Sequence, residues 1–217
     1  MSYSFENVEN RKARLTAMIW LSVICAAGVI LSILVQGVDT ALTKESGGAE
    51  WMSVFALVVG ALWLSAVGTL KTRFWMVPVT LLLLALRERD VHNWFYEPGL
   101  LRAETLQGDN PLWQKALTTL AILFVVVTVL MLIARGVLPL LRAVFRLRAW
   151  AVVFVLAGMS AVYAQLVDGS GKKLVQFGIE VSQDVAQILP MTEELGELLF
   201  ALGLVWAVAL FRPEAKR

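Results

Sequence analysis

Six mostly apolar stretches, separated by polar segments, run along the chain. They cover residues 15–36, 51–70, 73–92, 113–134, 149–167 and 192–211. A helix rises about 1.5 Å per residue, so about 20 residues cross the roughly 30 Å hydrocarbon core of a bilayer. The stretches lack the alternation of a barrel strand, and a helix satisfies its own backbone hydrogen bonds in lipid. The pattern predicts an all-α membrane protein, with six transmembrane helices in one bundle and a single domain over residues 1–217.

Two of the six stretches have short apolar parts, Phe74–Leu86 in the third and Leu195–Phe211 in the sixth. A crossing of about 20 residues extends the third helix to His92 and begins the sixth at Thr192. Both extensions bring charged residues to the edge of the membrane.

Amphipathic helices are expected on the membrane surface. The segments 87–106 and 174–189 are predicted to lie along the outer side, the second because its apolar residues recur at helical spacing. The 135–148 link is expected to lie in the same way against anionic lipid at the inner side. Trp51, Trp94, Tyr96 and Trp113 are predicted to sit in the interfacial aromatic belt.

Composition supports a membrane protein, since 59% of the residues are hydrophobic and only 17% are charged. A soluble domain carries about 25% charged residues. The net charge of +2 is too small to indicate a polyanion partner. These values exclude a disordered chain, a soluble enzyme and a nucleic-acid-binding module. One cysteine, Cys25, excludes a disulfide framework and a thiolate metal cluster.

The distribution of lysine and arginine predicts the orientation. Of the 19 basic residues, 12 lie in the N-terminal segment, the 71–73 turn, the 135–148 link and the C-terminal tail. Cytoplasmic segments of membrane proteins carry the excess of basic residues. Both termini are therefore predicted to be cytoplasmic.

This orientation gathers acidic residues and the single histidine at the outer membrane face: Glu50, Glu88, Asp90, His92, Asp168, Glu193, Glu194 and Glu197. Ionisable groups at membrane depth tend to be functional. If the third helix continues, Glu88 and His92 share one face and Asp90 lies on the other side.

Each of these residues also has a structural interpretation. Glu193 and Glu194 suit a helix N-terminus capped by Thr192. This explanation fits Glu197 less well, because Glu197 lies one turn further into the helix. The remaining residues suit pairing or helix ends: Glu88 and Asp90 could pair with Arg87 and Arg89, Glu50 and Asp168 could be helix-end charges, and His92 could be a structural histidine.

Carboxylates beside one imidazole suit a hard or borderline divalent cation, and all eight outer-face residues are candidate ligands. A bound metal could activate water for attack on a lipid or headgroup bond, with Glu197 and Glu88 as the candidate catalytic groups. A cation or proton transporter subunit, or a partner-binding membrane subunit without chemistry, are the alternatives. The expected partners are the lipid bilayer, a lipid substrate, and a second copy or a membrane partner subunit.

Three clusters carry a resemblance: Glu50-Trp51, the run from Arg87 to His92, and Glu193 to Glu197. Together they resemble a loose group of uncharacterised multi-pass bacterial inner-membrane proteins. The resemblance implies that the three clusters belong together. The expected location is a bacterial inner membrane. A more distant similarity is to membrane hydrolases of the alkaline ceramidase type, whose C-terminal histidine pair this chain lacks.

The sequence also predicts how the clusters meet. A charge facing lipid at the helix centre costs about 2.5–3.5 kcal/mol. Glu88 or His92 and Glu197 are therefore expected to face a shared outward-opening cavity. Because like charges repel, a cation, a proton, or the guanidinium of Arg87 or Arg89 is expected between them.

Overall fold

A computed structural model describes residues 8–43, 47–66, 74–170 and 182–211, and this part of the chain is helical between short connections and contains no strand. Its helices are α1 (Val8–Gln36), α2 (Val38–Thr43), α3 (Gly48–Ala66), α4 (Met76–Glu88), α5 (Glu104–Gln107), α6 (Leu112–Phe145), α7 (Ala149–Val167) and α8 (Gln183–Leu210), with a 3₁₀ turn at Val91–Asn93. The prediction of an all-helical protein is confirmed.

Four described helices are long and apolar enough to cross a membrane: residues Lys12–Gln36 of α1, and the whole of α3, α6 and α7. With 13 residues, α4 is shorter than a bilayer crossing requires. The 28 residues of α8 would suffice by length, but three glutamates near its middle interrupt the apolar sequence. Large apolar side chains face outward, such as Leu34 of α1, which is 77% exposed. The protein is a membrane protein by this measure.

The chain divides into two compact units, the first formed by residues 1–56 and 144–217 and the second by residues 57–143. In the first unit, α8 packs against α7, α2 and α1. The connection from α1 to α2 is a glycine turn: Gly37 has a φ of +84°, and its N–H donates to the Ile33 carbonyl at 2.9 Å. A left-handed glycine is the commonest way to end a helix.

The contact between α7 and α8 is made by small residues. A Cβ added to Gly203 would lie 2.6 Å from Cβ of Ala157, and one added to Gly196 would lie 3.2 Å from Cβ of Ala164. Gly196 and Gly203 are two helical turns apart on α8, and Ala157 and Ala164 are two turns apart on α7. The same contact therefore repeats along an antiparallel crossing of the two helices. Small residues let helix backbones approach closely, which is the main source of helix association in lipid.

Polar contacts join α1 to its neighbours in the first unit. Nε1 of Trp206 donates to Oγ of Ser22 at 2.9 Å, and that hydroxyl donates to the Met18 carbonyl at 3.0 Å. On the α3 side, Sγ of Cys25 donates to the Met52 carbonyl at 3.7 Å. The buried stripe of α1 consists of Met18, Leu21, Cys25 and Val29, which recur at helical spacing.

The predicted third helix is too long. It ends at Glu88 rather than at His92, because Asp90 adopts a left-handed conformation with a φ of 47°. Aspartate visits this region more readily than most residues, and one such residue stops an α-helix. The predicted amphipathic helix at 87–106 is also wrong, since this segment contains only the last two residues of α4, the 3₁₀ turn and three of the four residues of α5.

The predicted start of the sixth helix at Thr192 is wrong as well. Helix α8 begins at Gln183, where Oγ of Ser182 accepts from the N–H of Val185 at 3.4 Å, and it continues through Pro190. The hydroxyl of Thr192 donates to the Leu189 carbonyl at 2.9 Å within the helix and caps nothing. Of the predicted surface helix at 174–189, residues 174–181 lie outside the described residues, and residues 183–189 belong to α8.

The predicted surface link at 135–148 is replaced by a longer helix. Helix α6 continues to Phe145 and contains Pro139, so most of the link extends the fourth predicted span.

The α7–α8 contact predicts the effect of one added methyl group. Gly203→Ala should lower the free energy of unfolding by about 1–3 kcal/mol, because overpacking forces the two helices apart. Gly158→Ala on α7 is the matched control, since a Cβ there meets nothing within 4 Å. Thermal and chemical unfolding in one detergent would measure both variants. Equal stability of the two variants would contradict the close contact between Gly203 and Ala157. Adding Ala157→Gly to Gly203→Ala should restore stability, because it removes the methyl group that the new Cβ meets.

Candidate functional site

The three glutamates of α8 lie on the side of the helix that packs against the protein. Glu193, Glu194 and Glu197 are each half-buried, whereas Leu195 and Leu199 are 39% and 61% exposed. At about 100° per residue, Glu197 points roughly opposite to both leucines. The stripe that begins with Glu193 and Glu197 continues into the buried residues Ala201 and Leu204. The acidic face of α8 is therefore its packed face.

The helix-terminus explanation for Glu193 and Glu194 is wrong. They lie almost three turns after Gln183, where α8 begins. A helix macrodipole acts within the first turn, so it gives no reason for carboxylates at this depth. Together with Glu197 they form one acidic row, defined here as the α8 glutamates.

The two other acidic residues predicted in this unit lie at helix ends. Glu50 is in the first turn of α3 and is only 8% exposed. The positive end of the helix dipole favours a carboxylate there. Asp168 follows α7 directly and is exposed, with its N–H donating to the Ala164 carbonyl at 2.8 Å. Both positions agree with the interpretation of these residues as helix-end charges.

In the second unit, Asp90 and His92 lie side by side. Oδ1 of Asp90 is 3.8 Å from Nδ1 of His92, and the aspartate side chain is 69% exposed. The expectation that Asp90 would lie on the other side from His92 is wrong, because the left-handed Asp90 turns the chain back after α4. The two groups form an ion pair only when the imidazole is protonated, and an exposed pair of this kind contributes little stability.

The loop that carries these residues is ordered by hydrogen bonds to its own backbone. The N–H of Leu100 donates to the His92 carbonyl at 2.6 Å. Oγ1 of Thr105 donates to the Gly99 carbonyl at 3.0 Å, and Nδ2 of Asn110 donates to the Thr105 carbonyl at 3.1 Å. This segment therefore has a defined shape without being a helix.

Tyr96 anchors the loop to α6. Its hydroxyl lies 2.6 Å from Oγ1 of Thr118 and donates to the Gln114 carbonyl at 3.2 Å. Its ring meets that of Trp113 edge to face, with the centroids 5.6 Å apart. The sequence predicts only a belt residue at Tyr96, because nothing local indicates a partner 22 residues away.

The predicted residues are thus divided between the two units. The α8 glutamates, Glu50 and Asp168 belong to the first unit, whereas Glu88, Asp90 and His92 belong to the second. Within the described residues, no group of three or more His, Cys, Asp and Glu is placed to hold a metal ion. The predicted meeting of Glu88 or His92 with Glu197 joins residues of different units and stays a prediction.

Comparison with known proteins adds no assignment. No family model matches the chain, and no curated protein or solved structure matches it either. The resemblance of the three clusters to multi-pass bacterial inner-membrane proteins therefore stays an expectation, and the function is inferred from the residues themselves.

The anchoring role of Tyr96 is testable. Tyr96→Phe should raise amide hydrogen exchange in residues 91–105 by about fivefold, because one hydrogen bond contributes about 1 kcal/mol to holding the loop closed. Phe95→Leu, at a side chain that is 59% exposed, is the control and should leave exchange unchanged. Hydrogen–deuterium exchange measured by mass spectrometry would report both. Unchanged exchange in Tyr96→Phe would show that the loop is held by its backbone contacts alone.

Proposed function

We propose that this chain is a multi-pass membrane protein that binds a cation at the α8 glutamates. The proposal includes six crossings, of which the third would need residues beyond the 13 of α4 and the sixth would use α8. It also places both termini in the cytoplasm and the protein in a bacterial inner membrane. One observation supports the site: the carboxylates lie on the packed face of α8, while the same turns expose Leu195 and Leu199 outward.

The chemistry of this face favours a positively charged ligand. Burial of a carboxylate away from water is unfavourable unless a cation, a proton or hydrogen bonds compensate its charge. Glu193 and Glu197 are one helical turn apart, and such neighbours have Cβ atoms about 6 Å apart. Two carboxylates at this distance repel each other unless positive charge lies between them. Hard divalent cations prefer oxygen ligands and keep several waters, so two or three protein carboxylates are enough to hold one.

The enzymatic form of the proposal is a metal-dependent hydrolase of a lipid or headgroup bond. In this form Glu197 would handle the proton of a metal-activated water. The other forms are a transporter subunit, in which the same carboxylates pass protons or cations, and a subunit that only binds a partner. The packed acidic face supports cation binding, which the first two forms share.

The first test measures divalent-cation binding after substitution of a half-buried glutamate of α8 and of an exposed glutamate elsewhere. Glu197→Gln should weaken divalent-cation binding by about tenfold or more, because it removes one charged ligand. Glu104→Gln is the control, since Glu104 is exposed in α5, and it should leave binding unchanged. Elemental analysis of protein purified without added metal, followed by Mg²⁺, Ca²⁺ and Mn²⁺ titrations by calorimetry, would measure the difference.

The other outcomes of this test are decisive too. Carboxyl infrared bands that titrate in the wild type but vanish in Glu197→Gln, without metal binding, would favour proton transfer over a metal site. Equal metal binding in both variants, with no titrating carboxyl band, would contradict a cation site at α8.

The proposed topology predicts an accessibility pattern. A cysteine placed at exposed Asp109 should react with an impermeant maleimide from the outside, and one placed at exposed Phe145 only from the cytoplasm. The native Cys25 is fully buried, so the wild-type chain should stay unlabelled and serves as the control. Labelling of position 109 from the cytoplasmic side would contradict the orientation.

A further inference from the structure

A cleft lies at the C-terminal end of α8, about 20 Å along the helix from Glu197 and within the first unit. It forms where α1 and α7 begin and α8 ends, and its volume is about 330 Å³. Arg14 and Arg148 line it together with Trp150, and Leu15, Ala209 and Leu210 provide its apolar part. None of these residues was a predicted site residue.

We propose that this cleft binds the phosphate of an anionic phospholipid, with the guanidinium groups of Arg14 and Arg148 on the phosphate oxygens. The site shares no residue with the proposed cation site and does not depend on it.

The two arginines supply the chemistry that recognises phosphate. A guanidinium is planar, stays charged, and offers paired N–H donors that match two oxygens of a phosphate. Arg14 comes from α1 and Arg148 directly precedes α7, so two separate elements place their positive charges at one cleft.

The position of the cleft along the helices indicates a lipid. The candidate membrane spans of α1 and α7 begin at Lys12 and Ala149, so both arginines lie at the first residues of a crossing. The headgroup region flanks the hydrocarbon core at this depth. Basic pockets between transmembrane helices are a known way to hold anionic headgroups.

The remaining lining residues suit the rest of a phospholipid. Trp150 is a residue type enriched at the membrane interface, and its ring is held edge to face by Phe211, with the centroids 5.0 Å apart. Leu15 and Leu210 offer apolar surface beside the arginines, where the glycerol and upper acyl carbons of a lipid would lie. A free inorganic anion would make no use of this surface.

A purely structural role for the arginines is the competing explanation. The cleft also contains the C-terminal end of α8, whose carbonyls attract cations. In that case Arg14 and Arg148 would stabilise the helix end and select no lipid.

The experiment titrates lipid into the full-length protein in neutral detergent and counts bound lipids by native mass spectrometry. Phosphatidylglycerol is the anionic probe, and phosphatidylcholine is the zwitterionic comparison. The variant R14Q/R148Q removes both cleft charges, and R142Q/R146Q removes two exposed arginines outside the cleft lining. R14K/R148K keeps the charge and loses the paired donors.

The proposal expects wild-type protein to prefer phosphatidylglycerol. R14Q/R148Q should weaken its binding by about tenfold or more, R14K/R148K by less, and R142Q/R146Q by less than about threefold. Equal binding of the two lipids by the wild type would overturn the proposal, and this result needs no variant to fold. Equal losses in the two glutamine variants would indicate diffuse surface charge and overturn it as well. Complete displacement of the lipid by millimolar inorganic phosphate would show a free-anion site instead of a lipid site.

Discussion

The close approach of α7 and α8 through Gly203 and Ala157, and through Gly196 and Ala164, fixes how α8 is rotated about its own axis. In lipid there is little hydrophobic force between helices, so tight contact of small residues decides which faces meet. Once these contacts form, Leu195 and Leu199 turn outward and the α8 glutamates turn toward the protein. The same rotation directs Trp206 to Ser22 on α1. The way α8 packs on α7 therefore determines both where the α8 glutamates face and how α8 contacts α1.

The direction of α8 explains why its middle and its C-terminal end lie in different chemical surroundings. It runs antiparallel to α7, so its C-terminal end lies beside the N-terminal ends of α1 and α7, where Arg14 and Arg148 stand. The glutamates occupy an earlier part of α8, and from Glu197 to Leu210 the helix rises about 20 Å. That distance is a large part of a hydrocarbon core. A carboxylate site and an arginine cleft can thus face opposite sides of one membrane.

The sequence predicted the elements whose ends carry strong local signals. The bounds of α7 and the end of α1 before Gly37 agree with the apolar pattern, because the change from apolar to polar residues coincides with the helix end. The third and sixth stretches failed for a common reason: their length was inferred from a membrane crossing. Asp90 stops α4 by its backbone conformation, and α8 begins at Gln183, well before Thr192, with Pro190 inside the helix. Sequence also located the acidic residues, but it could not show which face of α8 packs, since that depends on Gly196 and Gly203 meeting α7.

The length of α6 has a consequence for its surroundings. Its 34 residues extend about 51 Å, far more than a hydrocarbon core of roughly 30 Å. A straight helix of this length would have to tilt by more than about 50° to fit within the hydrocarbon core, whereas transmembrane helices rarely tilt beyond about 40°. The excess length is expected at the end that carries Arg135, Pro139 and Arg142, because charged residues are costly among lipid tails and a proline bends a helix. Less of this end would lie outside the hydrocarbon core of a thicker bilayer and more of it outside a thinner one, so the exposed length of α6 would depend on the thickness of the membrane.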